Sequence, residues 1–146
     1  MDKEQRPLLR LRLRAAITAQ PEIRQLRAVL LNFGGEEVVA PPCRYCDLHA
    51  LIHAGFVMEG PVRLRAMERN ACHRNLSLLW PRRPNGLIGI GTGYALSHDG
   101  LWRQYSWGLA RPGIAETTLA RAKYFGLLLQ GRDADSFASA NGWPEP

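Results

Sequence analysis

With 146 residues, 46% hydrophobic and 22% charged, the chain is long enough to bury a core without disulfide staples and is expected to form a single domain. No apolar run approaches the roughly 18 residues of a membrane span, the charged N-terminus does not resemble a secretory signal, and an odd count of three cysteines fits a reducing compartment. The expectation is therefore a cytoplasmic protein without membrane contact. The formal net charge is +6, and of the 19 basic residues only Lys3 and Lys123 are lysines. Such a surface attracts acidic partners, nucleic acid among them, although no basic motif interleaved with aromatics marks a nucleic-acid site.

Taken in order, residues 1–7 are polar and expected to be loosely ordered. Leu8 to Arg14 alternates apolar residues with Arg, the pattern of a half-buried strand; a basic amphipathic helix is the alternative. The arginines of this segment serve either as a comb for phosphates or as the solvated face of a strand. Pro21-Glu22 opens a helix through Asn32, with Ile23, Leu26, Leu30 and Leu31 on its apolar face and Gly34-Gly35 beyond its end. Glu37 to Ala40 is a short strand broken by Pro41-Pro42. Asp47 caps a helix from Leu48 to Ala54, and strand pieces follow at Phe56–Met58 and Val62–Arg65.

The most informative helix begins after Asn70, a good N-cap. Cys72, Leu76, Leu79 and Trp80 recur at helical spacing, and Pro81 stops the run. Cys72 thus occupies the first turn, where free N–H groups and the positive end of the helix dipole stabilise a thiolate. The plain alternative for Cys72 is a small core residue.

The remainder turns β. Leu87 to Leu96 forms a glycine-studded strand, Ser97-His98-Asp99-Gly100 a hairpin turn with the Asp-Gly signal, and Leu101 to Leu109 an aromatic return strand. Ile114 to Thr118 supplies a third strand, Leu119 to Lys123 a helical turn, and Tyr124 to Leu129 a last strand. Residues 131–146 are small and polar, expected to be loosely ordered unless docked. Gly89-x-Gly91-x-Gly93 lies within a strand with no helix directly after it, so it does not fit a dinucleotide fingerprint. The fold class is α+β, N-terminal helices packed on a C-terminal antiparallel meander.

Cys72-His73-Arg74-Asn75, Gly93 to Gly108 with its Gln104-Tyr105-Ser106-Trp107 run, Glu116-Thr117-Thr118 and Lys123-Tyr124-Phe125-Gly126 together resemble an uncharacterised bacterial protein family, over roughly residues 66–129. That family usually carries His where this chain has Tyr105. A helix-borne Cys followed by two strands with a base and an acid is also similar to the order in papain-like and transglutaminase-like thiol enzymes. That resemblance implies a papain/transglutaminase-like core in which Cys72 attacks an amide or ester carbonyl, the residue at 105 accepts its proton, Glu116 orients that base, and Gln104 or the helix N–H groups hold the oxyanion. A phenol titrating near ~10 is a poor acceptor for a thiol proton at neutral pH, so the resemblance equally implies a pseudoenzyme.

His73, Asn75, His98 and Trp107 are auxiliary candidates. His73 adjoins Cys72, but adjacent helical positions point apart, and His98 falls in the hairpin turn. Asn75 is either a surface residue or a partner for Glu116. Trp102, Tyr105 and Trp107 serve either as packing aromatics or as a stacking platform, and the alternative for Glu116 is a solvated strand residue. Cys43, Cys46, His49 and His53 are residue types that zinc favours, with the two histidines on one helix face. They span only 11 residues, whereas zinc sites generally close a longer loop between two ligand pairs. The other class of function is a basic binding module for a protein or nucleic-acid partner, built on the arginines of residues 8–14 with Arg63, Arg65, Arg74, Arg82 and Arg83.

Overall fold

The structure, a computed structural model, describes residues 5–83, 86–111 and 113–142. Helix α1 covers Arg6–Ala19 and α2 Ile23–Asn32; β1 is Glu37–Val38, α3 Leu48–Ala54, β2 Phe56–Met58, β3 Val62–Leu64 and α4 Cys72–Leu79. Strands β4 (Leu87–Leu96), β5 (Leu101–Ala110), β6 (Gly113–Glu116) and β7 (Lys123–Leu129) follow, with α5 (Gly131–Asn141) at the end. The chain is thus α+β, and no helix among the described residues is long and apolar enough to cross a membrane.

Residues 8–14, expected as a strand, lie inside α1. Pro7 sits in the first turn, where its missing N–H costs nothing. Leu9, Leu13, Ala16 and Ile17 then recur at helical spacing toward the core, leaving Leu8 and Leu11 exposed. The alternation of leucine and arginine over seven residues was compatible with either period; the longer window decides for the helix. α1 is the basic amphipathic alternative.

A seven-stranded sheet runs β2-β7-β4-β5-β6-β3, and β1 also pairs with β5. The expected antiparallel meander holds for β4, β5 and β6 only. β7 crosses back to the far side of β4, while β1 and β3 add parallel pairings to β5 and β6. Two ten-residue strands leave backbone groups to satisfy on both sides. β5 and β7 supply them for β4. The expected helical turn at 119–123 does not form; the stretch from Thr117 to Ala122 is bend and coil, and the Thr117 and Thr118 N–H groups bond the Glu116 carboxylate instead.

On one sheet face, Tyr94, Leu96, Trp102 and Phe125 pack with Ile23, Leu26, Leu30, Leu48 and Leu51. Alternation along β5 places Ser106 and Gly108 on that same face, where α4 lies over them, Leu76 reaching Gly108. The C-terminal segment, expected to be loose unless docked, folds as α5 against α4. Ala134 is fully buried beside Leu76 and Leu79, and the Trp80 indole donates to Asp135 at 2.8 Å. On the opposite face Trp107 lies flat across glycines. A Cβ at Gly91 would fall 2.1 Å from the indole Nε1, so the glycine is dictated by close approach.

Candidate functional site

β1 and β6 both pair with the same edge of β5, at its two ends. β1 covers Leu101 and Trp102, and β6 covers Gly108 to Ala110; among the described residues no strand is added between them. Alternate residues of β5 turn their N–H and C=O toward this edge. The Trp102 carbonyl is taken by the Val39 N–H at 2.8 Å, and the Ser106 N–H lies toward the Cys72 sulfur. Gln104 lies between them. The opening continues into a cleft of about 680 Å³, whose walls include Val39, Arg69, Cys72, Gln104, Tyr105 and Arg121.

Cys72 is the first residue of α4, and the N–H groups of Ser106 and His73 lie toward its Sγ. The expected Asn70 cap is not made: Ala71 is the N-cap, no side chain caps the helix, and Asn70 turns the chain in the left-handed region at φ 57°. Asn is among the few non-glycine residues that adopt this conformation readily. Burial pushes the Cys72 thiol up; the two N–H donors oppose this, the Glu116 carboxylate adds to it and Arg121 opposes it, with a net rise. Helix position alone would depress the thiol. Here desolvation wins, because Cys72 is only 9% exposed.

Beneath the cleft, Glu116 is fully buried. Its Oε2 accepts the Tyr124 hydroxyl at 2.7 Å, and its Oε1 the N–H groups of Thr117 and Thr118 at 3.0 and 3.1 Å. Tyr105 also donates its hydroxyl to Oε1 and contacts the Thr118 hydroxyl. Register explains the convergence. With Gly108 opposite Ala115, continuing the antiparallel pairing sets Glu116 on the face of Trp107 and Tyr105. Burial first, and the Glu116 bond next, push the Tyr105 phenol well above its usual range; the same two causes raise Tyr124. The Arg121 guanidinium lies 4.6 Å from the Tyr105 ring centroid.

The other sequence candidates scatter. Gln104 lines the cleft. His73 also lines it, but its Nδ1 is 2.5 Å from the Ser106 hydroxyl, which in turn lies 3.0 Å from that of Thr92, and burial lowers its pKa. Asn75 is buried and donates to the Glu68 carbonyl at 2.9 Å and the Thr117 hydroxyl at 3.2 Å; it braces the residue beside Glu116. Trp107 is fully buried and bonds the Met58 sulfur at 3.3 Å. His98 is exposed in the hairpin turn and does not line the cleft. His49 and His53 stack with ring centroids 4.3 Å apart, and Cys43 and Cys46 are exposed free thiols. Among the described residues no group of three or more His, Cys, Asp and Glu is placed to hold a metal ion.

Sequence reasoning missed Tyr124, Thr118, Arg69, Arg103 and Arg121. Tyr124 and Thr118 stood inside the Tyr-Phe-Gly and Glu-Thr-Thr motifs, which signalled their importance without their contacts. Arg103 stood inside the run from Gly93 to Gly108, whereas Arg69 and Arg121 carried no local signal. Comparison with known protein families, curated proteins and solved structures finds no match.

Proposed function

We propose that the cleft is a thiol-enzyme-like site in a non-catalytic state, which binds an amide- or ester-bearing ligand without turning it over. A helix-borne Cys72, a polar side chain at 105 on β5 and a carboxylate at 116 on β6 support a papain/transglutaminase-like core for this α+β chain. One observation carries the non-catalytic reading: the Tyr105 hydroxyl donates to Glu116. Where a base needs a free lone pair, this site presents a proton already committed to a buried acceptor. The thiol is pushed up at the same time, so no side chain at 105 takes its proton at neutral pH. Gln104 and the N–H groups at Cys72 remain as polar contacts for a carbonyl.

Alkylation of the three cysteines by iodoacetamide, resolved by mass spectrometry, tests this reading. In the native protein Cys72 reacts much more slowly than Cys43 and Cys46. Tyr105→His restores an acceptor beside Glu116 and raises the neutral-pH rate of Cys72 by about tenfold or more. Complete alkylation of native Cys72 near pH ~6 would mean a depressed thiol and a working enzyme. A folded Tyr105→His protein with an inert Cys72 would remove the thiol-enzyme geometry altogether.

A further inference from the structure

The cleft combines two features that the thiol-enzyme reading leaves unused. The first is its charge. Among the described residues three arginines, Arg69, Arg103 and Arg121, line it, and no carboxylate does. The Arg103 charge is shared with Asp99, whose carboxylate accepts two N–H groups at 2.8 and 3.2 Å. Arg121 meets no carboxylate among the described residues; it donates to the Ser97 hydroxyl at 2.9 Å, and its buried Nε has no partner there. Arg69 is exposed and likewise unpaired among the described residues. A planar guanidinium without a counter-ion matches a carboxylate through two parallel N–H bonds.

The second feature is the strand edge. From Trp102 to Ser106 the unpaired edge of β5 runs about 13 Å, room for about three extended residues. Gln104, midway, turns a main-chain N–H and C=O outward by the alternation that commits its neighbours to Val39 and Cys72. A short extended segment laid there closes the gap between β1 and β6. Val39, Ala40, Pro42, Ala95 and Leu119 offer apolar surface for its side chains.

We infer that the cleft receives the C-terminal end of a peptide chain, its main chain paired with Gln104 and its terminal carboxylate held by Arg121 and Arg69. Strand addition and carboxylate capture are here used together. This deepens the reading of the cleft as an amide-binding site and rests on it for the position of the amide beside Cys72.

The probe is the tripeptide Ala-Ala-Leu, its N-terminal amine acylated with a fluorophore, made with a free C-terminal acid or a C-terminal amide. Anisotropy titration of the full chain is expected to show the acid binding at least about tenfold more tightly than the amide, the effect of losing a charge-assisted bond. Arg121→Gln and Arg69→Gln each weaken the acid more than the amide and so shrink the preference between them, with circular dichroism confirming that each variant is folded. Equal binding of acid and amide, or binding of neither, overturns the inference. Displacement of the peptide acid by an equal concentration of hexanoate also overturns it, since the ligand is then a free organic acid. The Tyr105→His alkylation separates the two readings. A reactive Cys72 with equal acid and amide binding sinks only the carboxylate inference, whereas an inert Cys72 with acid-selective binding sinks only the thiol-enzyme reading.

Discussion

The molecule has two interiors on the two faces of one sheet, and they are built on opposite principles. Under α1 to α3, Leu26, Leu30, Leu51, Trp102 and Phe125 form an apolar cluster with the Arg27–Glu37 ion pair, 2.6 Å, beside it between α2 and β1, and the buried Tyr94 hydroxyl lacks a hydrogen-bond partner among the described residues. On the other face, the Glu116 carboxylate is fully buried but accepts two phenols, a threonine hydroxyl and two backbone N–H groups. An apolar interior is set by volume and accepts a substitute of similar size. A buried carboxylate is set by its donors, and removing any one side leaves the other desolvated and unpaired. The candidate site belongs to the second kind, so the same network that fixes its geometry also holds the Tyr105 proton.

The largest break in that contrast is Glu116→Ala. It strands two phenols and two N–H groups, and urea denaturation is expected to show a loss of about 3–5 kcal/mol. Next come substitutions that keep volume. Glu116→Gln faces an amide nitrogen toward donors and costs about 1.5–3 kcal/mol, whereas Leu30→Met in the apolar interior costs less than about 1.5 kcal/mol. Equal losses for the two would erase the distinction. Deleting one hydroxyl from each interior sharpens it further. Tyr124→Phe removes a bond to a charged acceptor and costs about 1.5 kcal/mol or somewhat more, while Tyr94→Phe removes an unpartnered hydroxyl and is neutral or stabilising.

The smallest expected effect is the alkaline limb. Tyr105 and Tyr124 have folded pKa values raised, by burial first and then by Glu116. The unfolded phenols release their protons first, near ~10, so the folded chain binds more protons above that pH. Their contribution to stability is complete below pH ~10 and is lost as the pH rises toward the folded values. Denaturation midpoints on either side of pH ~10 should show the decline, and the Tyr105→Phe and Tyr124→Phe double variant should flatten it. An unchanged slope in the double variant would mean other groups carry the limb.

Much of the fold was legible where one period dominated. The helix from Cys72, the helix from Leu48, the Asp-Gly hairpin and the long strands around it follow from spacing, stop signals and turn residues, because those act within a few residues of chain, although neither Asn70 nor Asp47 makes the expected side-chain cap. Residues 8–14 were not legible, since seven alternating residues carry both periods; only the length of the run, the burial of Leu9 and Leu13 and the partial burial of Ile17 choose between them. At the site, Cys72, Tyr105, Glu116 and Gln104 could be named from motif order, while Arg69, Arg103, Arg121 and Tyr124 could not.

By itself, then, the sequence determined which residues were available: a cysteine in a helical first turn, a tyrosine and a glutamate on successive strands, and an excess of arginine. Tertiary structure decided what they became. The β5–β6 register set Tyr105 against Glu116 rather than leaving its hydroxyl free. Burial overrode the helix terminus at Cys72. The pairing of β1 and β6 on a single edge of β5 opened a cleft that no local pattern encodes. Each of these depends on groups far apart in the chain, and desolvation, register and edge pairing exist only once those groups have been brought together.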